Sequence, residues 1–141
     1  MIKEIIMSDK MKPSVHFTIV CDDIRQELGG KISVMGIFEN IYATNFPAFH
    51  PRMAVMTEWT EGKGEFEVMM RLSSPDKKTV LRETVSRLSL NNPSLRHRDI
   101  SVHLNLEFKT PGAYWIEHYL DGEMVHSMPL SIVHVKEQNL H

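Results

Sequence analysis

The chain has a single cysteine, Cys21, among its 141 residues, so no disulfide can form within it. Cys21 lies at the end of an apolar run, and we expect it to be a small buried hydrophobe and not a reactive thiol. A lone reduced cysteine is more compatible with a reducing cytoplasm than with an oxidising compartment. The cysteine content therefore predicts a cytoplasmic protein.

Long hydrophobic runs are also missing. No stretch approaches the roughly 18 apolar residues of a membrane helix, and the N-terminus lacks the apolar core and cleavage site of a signal peptide. The sequence therefore predicts no membrane attachment. Because Met7 and Met11 are alternative starts, we expect residues 1–12 to form a flexible extension. Residues 13–136 form a single predicted domain and 137–141 a tail.

The chain has no excess of positive charge. Sixteen lysines and arginines stand against 18 acids, which gives a net charge of -2 and a pI near 6.4. Because a general nucleic-acid or anionic-membrane binder needs a basic face, the charge balance argues against nucleic acid as a partner.

Motifs of catalysis and of cofactor binding are absent from the sequence. There is no G-x-S-x-G nucleophile turn, and the glycines at 29 and 30 match neither nucleotide-binding loop pattern. The sequence therefore predicts a protein that is not an enzyme and binds no cofactor.

Alternating apolar and polar residues dominate what is present. The clearest series is Ile100, Val102, Leu104, Leu106 and Phe108, which predicts a half-buried strand with these residues inward and His103 on the solvent side. Turn signals separate about eight such runs, and Asp121-Gly122 predicts a type I′ hairpin. The proline-bearing connections 44–51 and 91–99 are long enough to cross between sheets. This pattern predicts an all-β fold, an antiparallel β-sandwich of seven to nine strands with at most one short helical turn.

Two runs have a predicted place in the sheets. Residues 32–38 are apolar on both faces, which favours a buried central strand. Pro129 interrupts the last run, 124–135, and predicts an edge strand or one broken by a bulge, because proline cannot donate to the ladder.

A crowded corner between two apolar runs holds the candidate ligand residues Asp22, Asp23, Arg25, Glu27 and Lys31. The simpler interpretation is a short helix over 22–28 that Asp22 or Asp23 caps and Gly29 ends in a left-handed conformation. The alternative is an ion or ligand site, in which carboxylates of the corner and of a second loop bind Ca²⁺. The second loop would supply Asp76, Asp99 or Asp121.

Eight histidines are spread along the chain without the short paired spacing of zinc sites. Pairing of strands could still bring His103, His118 and His126 together, but the alternation separates His103 from His118. We therefore expect scattered surface imidazoles and no metal site.

Trp115 and Tyr119 lie on one face of a predicted strand, opposite Tyr114, Ile116 and Leu120. If their face is open to solvent, it offers rigid aromatic contacts to a partner. The alternative is that the strand is buried on both sides.

The stretch from Cys21 to Phe38 resembles the signature D-x-x-R-x-E-x-G-G-K-x-S-x-x-G-[IV]-[FY] of an uncharacterised bacterial family. The proline loop at Phe46-Pro47 and the stretch from Pro111 to Gly122 are also similar to that family. The resemblance implies a small cytoplasmic sandwich of immunoglobulin-like or macroglobulin-like topology. It implies no activity and no functional residue.

These observations together predict a non-enzymatic binding or assembly module of a bacterial cytoplasmic protein. Its partner would be another protein or a second copy of the chain, with Trp115 and Tyr119 at the interface. The alternative function is a small-ligand or Ca²⁺-binding sandwich domain that uses the acidic loop at 22–27.

Overall fold

Nine strands follow the alternating runs of the sequence in a computed structural model that describes residues 10–137. The only helical element in this part of the chain is a 3-10 turn at Leu28–Gly30. The strands are β1 (Ser14–Gln26), β2 (Ile32–Ile37), β3 (Asn40–Ala43), β4 (Ala48–Thr60), β5 (Gly64–Ser73), β6 (Val80–Leu90), β7 (Arg96–Phe108), β8 (Gly112–Leu120) and β9 (Glu123–His134). The predicted all-β class and strand number are confirmed.

The strands form two sheets. One has four strands in the order β2-β1-β4-β7, and the other has five in the order β3-β9-β8-β5-β6. Neighbouring strands are antiparallel except β3 and β9, which are parallel. The two connections predicted to cross between the sheets, which follow β3 and β6, do cross from one sheet to the other.

The core lies between the sheets, as in a β-sandwich. Its larger cluster combines Val55 of β4 and Phe108 of β7 with Leu72 of β5 and Ile116 of β8, so side chains of both sheets pack together. A second cluster surrounds Trp59, which is fully buried. The immunoglobulin-like or macroglobulin-like label for the topology stays a prediction.

The alternation of inward and outward side chains in β7 is reversed part of the way along the strand. Leu106 and Phe108 are fully buried, and the next inward residue is His103, which is 3% exposed. Between them, Leu104 and Asn105 are both exposed. The prediction that Ile100, Val102 and Leu104 face the core with His103 in solvent is therefore wrong.

The change of face occurs at Asn105, which has a left-handed backbone with φ 54°. Asparagine tolerates this conformation better than most residues other than glycine. The neighbouring strand β4, which pairs with β7, also has two consecutive exposed residues at this level, Pro51 and Arg52. From β6, the Arg82 guanidinium donates hydrogen bonds to the carbonyls of Leu104 (2.8 Å) and Asn105 (3.2 Å). These bonds satisfy backbone groups that the interrupted ladder leaves open.

Strand β2 lies at an edge of the four-stranded sheet, so the prediction of a buried central strand at 32–38 is wrong. Its residues are half-buried or exposed, and Ile37 is 64% exposed. Ile32 and Val34 instead line a shallow recess on the outside of the sheet, together with Phe17 and Met56. This recess accounts for the apolar side chains on one face of the edge strand.

The predicted helix over 22–28 is also wrong. Residues 22–26 continue β1, which pairs with β2 on one side of the sheet. Only the tight turn Leu28–Gly30 is helical, and no side chain caps it. Gly29 does have the left-handed backbone expected of it, with φ 82°.

The hairpin between β8 and β9 is confirmed. Asp121 (φ 47°) and Gly122 (φ 83°) both have the positive φ of a type I′ turn. In β9, Pro129 lies outside the Ser131–His134 stretch that pairs with β3, and a bulge occurs near Val125. The bulge agrees with one form of the prediction for the last run, whereas β9 lies between β3 and β8, so the alternative of an edge strand is wrong.

Most of the predicted N-terminal extension, residues 1–9, lies outside the described residues, as does the tail from 138 onward. The last residues of the extension contact the domain. Met11 pairs with Lys63, and the Lys12 ammonium lies 3.1 Å from Glu123 Oε1.

We predict that the stability of the sandwich depends on a residue at position 105 that tolerates positive φ. Asn105→Val should lower the free energy of unfolding by about 1 to 3 kcal/mol, because a β-branched residue is strained at positive φ. Asn105→Gly is the control and should retain wild-type stability or gain slightly. Chemical denaturation followed by tryptophan fluorescence measures both, and equal stability of the two variants would contradict the assignment.

Candidate functional site

The acidic corner divides between the two sides of β1. Asp23 Oδ1 accepts hydrogen bonds from Arg52 Nη2 and from the Ile24 amide, both at 2.9 Å, and Arg25 lies 3.8 Å from its second oxygen. These hydrogen bonds, that from Arg52 first, hold the pKa of the Asp23 carboxyl below its usual value. Asp23 is therefore already paired with two arginines.

Asp22 points away from this group. Its carboxylate lies over Gly36, where an added Cβ would come within 2.3 Å of Oδ2. Glu27 and Lys31 meet through their backbones, because the Glu27 amide donates to the Lys31 carbonyl at 2.7 Å. The five predicted residues thus lie near one another along the chain without converging on one point.

The carboxylates proposed as a second Ca²⁺ loop have local partners. Asp76 Oδ1 accepts from the Ser74 hydroxyl (2.6 Å), and Asp121 Oδ1 accepts from the Glu67 amide (2.9 Å). Asp99 accepts from the Ser86 hydroxyl at 3.1 Å. In the described part of the chain, no three histidine, cysteine, aspartate or glutamate residues are grouped so that they could hold a metal ion.

Trp115 and Tyr119 lie on the outer face of the five-stranded sheet, opposite buried Tyr114 and Ile116, as the alternation predicted. Both are half-buried. The Lys77 ammonium lies 4.8 Å from the centre of the Trp115 ring, and the Arg71 guanidinium lies 5.1 Å from the centre of the Tyr119 ring. Each ring therefore has a cation over one of its faces.

Glu117 lies between the two aromatic residues on the same face and is 4% exposed. Its Oε1 accepts a hydrogen bond of 2.6 Å from the Ser73 hydroxyl. Arg71 is its cross-strand neighbour and also forms an ion pair with Glu83 at 3.2 Å. The carboxylate is thus buried beside a hydroxyl, while the guanidinium on the neighbouring strand pairs with Glu83.

We call this surface the aromatic face and define it by Trp115, Glu117 and Tyr119 of β8 with Met69, Arg71 and Ser73 of β5. Exposed apolar side chains lie elsewhere on the sheet that carries the aromatic face. They include Val85 (60%), Tyr42 (63%) and Met124 (47%). Sequence reasoning missed Arg71 and Lys77, because their contacts with the rings depend on which strands and turns become neighbours.

His118 is the centre of a polar group inside the sandwich. It is 1% exposed, and its Nε2 shares a hydrogen bond of 2.8 Å with Thr57 Oγ1. The rings of Trp59 and His126 lie 5.9 and 5.7 Å away. Strand pairing therefore brings His118 and His126 together as neighbours, while His103 instead bonds Ser101.

A small polar cavity of about 60 Å³ adjoins His118 between the sheets. Its polar lining comes from residues 57, 84, 86, 99, 101 and 118. The buried atoms His118 Nδ1 and Asp99 Oδ2 have no hydrogen-bond partner among the described residues. A cavity of this volume is large enough for one or two water molecules, which could serve both atoms.

The hydroxyls near these histidines do not form a catalytic triad. Ser86 and His97 both bond Asp99 Oδ1, so the acid and not the imidazole lies next to the serine. Ser101 does bond His103 Nε2 at 2.9 Å. Burial, and then the charge of Arg82, lower the pKa of His103.

Cys21 is fully buried. Burial raises the pKa of its thiol, although a contact with the Asp23 carbonyl opposes that effect. A buried thiol with a raised pKa is a poor nucleophile.

A cleft of about 350 Å³ lies at one end of the sandwich. It is bounded by the turn after β5, including Asp76, and by the turn after β7, including Lys109 and Pro111. Its charged groups carry both signs, so the cleft does not indicate a particular ligand.

We predict that His118 makes the fold sensitive to mild acid. Burial, and then the neighbouring His126, lower the pKa of His118 from 6.5 to about 4. The unfolded chain therefore binds more protons than the folded chain between pH 6.5 and 4. Stability present at neutral pH should fall by up to about 3 kcal/mol as the pH drops through this window.

The test substitution is His118→Gln, and His134→Gln is its control. Glutamine can keep a hydrogen bond to Thr57 but does not titrate, so His118→Gln should reduce the fall of the denaturant midpoint between pH 6.5 and 4. His134 is exposed, and its substitution should leave the dependence as in wild type. An unchanged pH profile for His118→Gln would refute the assignment.

No helix in the described part of the chain is long and apolar enough to cross a membrane.

Comparison with curated proteins finds no match to the chain. A model of a family of unknown function, DUF6941, matches residues 16–133. The matched region begins in β1 and ends in β9, so it contains both sheets and the whole aromatic face. The match covers well over half of the sequence, and the chain therefore belongs to DUF6941, a family of unknown function.

Proposed function

We propose that this protein is a non-enzymatic binding module of the bacterial cytoplasm that docks a partner protein through the aromatic face. The observation that carries the proposal is the pair Trp115 and Tyr119, each half-buried on an open sheet face and each stacked against a cation. Tryptophan, tyrosine and arginine are the residues most enriched at the energetic centres of protein interfaces.

The rigidity of the two rings supports a role in binding. Each ring is half-buried and has a cation over one side, Lys77 or Arg71, so a partner that covers the ring immobilises little additional side-chain freedom. Because lost side-chain freedom is one of the main costs of association, a pre-ordered surface binds more tightly than a mobile one of equal area.

The buried carboxylate of Glu117 also supports a role in binding. A charge at the centre of an interface is costly unless it has partners before the interface forms. Glu117 is already buried and bonded to Ser73, and Arg71 lies across from it. A partner can therefore cover the aromatic face without desolvating a free charge at its centre.

The chemistry of the interior favours a binding role over catalysis. The best-placed serine and histidine, Ser101 and His103, form a bonded pair, but His103 is 3% exposed and faces the interior. Nucleophilic catalysis needs a reachable nucleophile beside its base. The absence of an enzymatic activity is part of the proposal, as is the cytoplasmic location.

The test is affinity capture of a partner with the purified protein as bait. Trp115→Ala/Tyr119→Ala should lose a partner that wild type retains. Phe49→Ala is the matched control, because Phe49 is an exposed aromatic residue (67%) on the other sheet, and it should retain the partner. Thermal melts confirm that each variant is folded.

Light scattering on the same proteins separates the two classes of partner. The proposal expects the wild-type chain alone to be monomeric. A dimer that dissociates in the double variant would mean that the aromatic face binds a second copy instead. A folded double variant that still captures the same partners as wild type would overturn the proposal.

A further inference from the structure

The outer face of the four-stranded sheet exposes a row of apolar side chains. Because β7 changes face at Asn105, its residues Ile100, Val102 and Leu104 point outward with 37%, 46% and 54% of their surface exposed. Their cross-strand neighbours on β4 are Met56, Ala54 and Arg52. Exposed apolar residues that share one face mark an interaction site more often than scattered ones do.

A shallow recess of about 430 Å³ continues this row across the sheet. Its apolar lining comes from all the inner strands and the edge strand β2, through Phe17, Ile32, Val34 and Met56. Two cations, Lys31 and Arg98, also line it. The recess therefore combines an apolar floor with positive charge, and it is large enough to hold several side chains of a partner.

The buried carboxylate of this face, Glu58, is already neutralised. Glu58 is fully buried, with His16 Nδ1 at 2.5 Å from one oxygen and Arg98 Nε at 3.1 Å from the other. Burial alone would raise the pKa of Glu58, but the hydrogen bonds from His16 and Arg98 and the charge of Arg96 hold it below the usual value. Glu58 therefore stays ionised and offers no free acceptor.

The remaining balance of charge on the face is positive. Arg25 and Arg52 share the single carboxylate of Asp23. With Lys31, Arg96 and Arg98, these arginines make five cations around the apolar row, against Asp23, Glu58 and the exposed carboxylates Glu27 and Glu107. The excess of positive charge is concentrated at the recess, which Lys31 and Arg98 line and no carboxylate lines, so the recess has the opposite sign to the protein, whose net charge is -2.

We propose that this basic face, defined by Ile100, Val102 and Leu104 with the recess and its rim of cations, binds an acidic segment of a partner protein that carries apolar side chains between its carboxylates. Charge complementarity selects this occupant. A second copy that used the same face would place two rims of like charge against each other, which is unfavourable at an interface.

The inference goes beyond the proposed function, because the basic face and the aromatic face lie on different sheets and on opposite sides of the core. A domain with both faces active would connect two partners at once. Each face can fail its own test without affecting the other.

The experiment uses two short fluorescein-labelled peptides and the full chain. One peptide alternates glutamate with leucine, and the other alternates lysine with leucine. Fluorescence anisotropy should show saturable binding of the acidic peptide that weakens as salt is added. The basic peptide should bind at least about tenfold more weakly.

Two substitutions test the location of the binding site. Val102→Glu places a carboxylate in the apolar row, and Lys31→Glu reverses an exposed charge at the recess. Each should weaken binding of the acidic peptide by about tenfold or more. Val85→Glu is the matched control, because Val85 is also an exposed valine (60%, against 46% for Val102) on an edge strand, but of the other sheet. The affinity of this variant should stay within about twofold of wild type.

Other results overturn the proposal. The proposal fails if the acidic peptide does not bind or if both peptides bind equally well. It also fails if Val85→Glu loses as much affinity as Val102→Glu. A dimer of the wild-type chain that Val102→Glu dissociates, seen by light scattering, would assign the face to a second copy. Binding to anionic vesicles without binding to the peptide would assign it to a membrane surface.

Discussion

The left-handed backbone at Asn105 determines the character of both the interior and the surface of this sandwich. At this residue β7 exchanges its inward and outward sides, so His103 is buried while Val102 and Leu104 are exposed. Arg82 of the other sheet bonds the carbonyls of Leu104 and Asn105 and so holds the exchange in place. A β7 of uniform alternation would bury the apolar row and leave the histidine in solvent.

The outer face of each sheet contains one buried carboxylate, although the side chains around it differ. Glu58 on the four-stranded sheet is held by His16 and Arg98, and Glu117 on the five-stranded sheet by Ser73. In each case a charge at the middle of the sheet is satisfied within the domain, so its surroundings are ordered before any partner arrives. The aromatic face then presents rings held by cations, whereas the basic face presents aliphatic side chains ringed by cations.

Sequence patterns predicted the strands, the Asp121-Gly122 hairpin, the crossings between sheets and the side of β8 that carries Trp115 and Tyr119. They failed where one residue or a neighbouring strand decides the outcome. The unbroken alternation from Ile100 to Phe108 conceals the change of face, because an asparagine at positive φ leaves no periodic signal. Strand β2 is apolar on both sides in the manner of a central strand, and only the pairing of β1 with β4 places it at the edge. The acids at 22–27 suit a helix start, but pairing with β2 keeps them extended.

The change of face in β7 is tested most directly by the rate of thiol labelling at two adjacent positions of that strand. Val102 is 46% exposed and His103 is 3% exposed, while the native Cys21 is fully buried and provides an unreactive background. The account predicts that Val102→Cys reacts with a maleimide or disulfide reagent quickly in the folded protein and that His103→Cys reacts only as fast as the protein unfolds. The reverse order, with His103→Cys fast and Val102→Cys protected, would contradict the change of face on which the basic face and the buried polar interior depend.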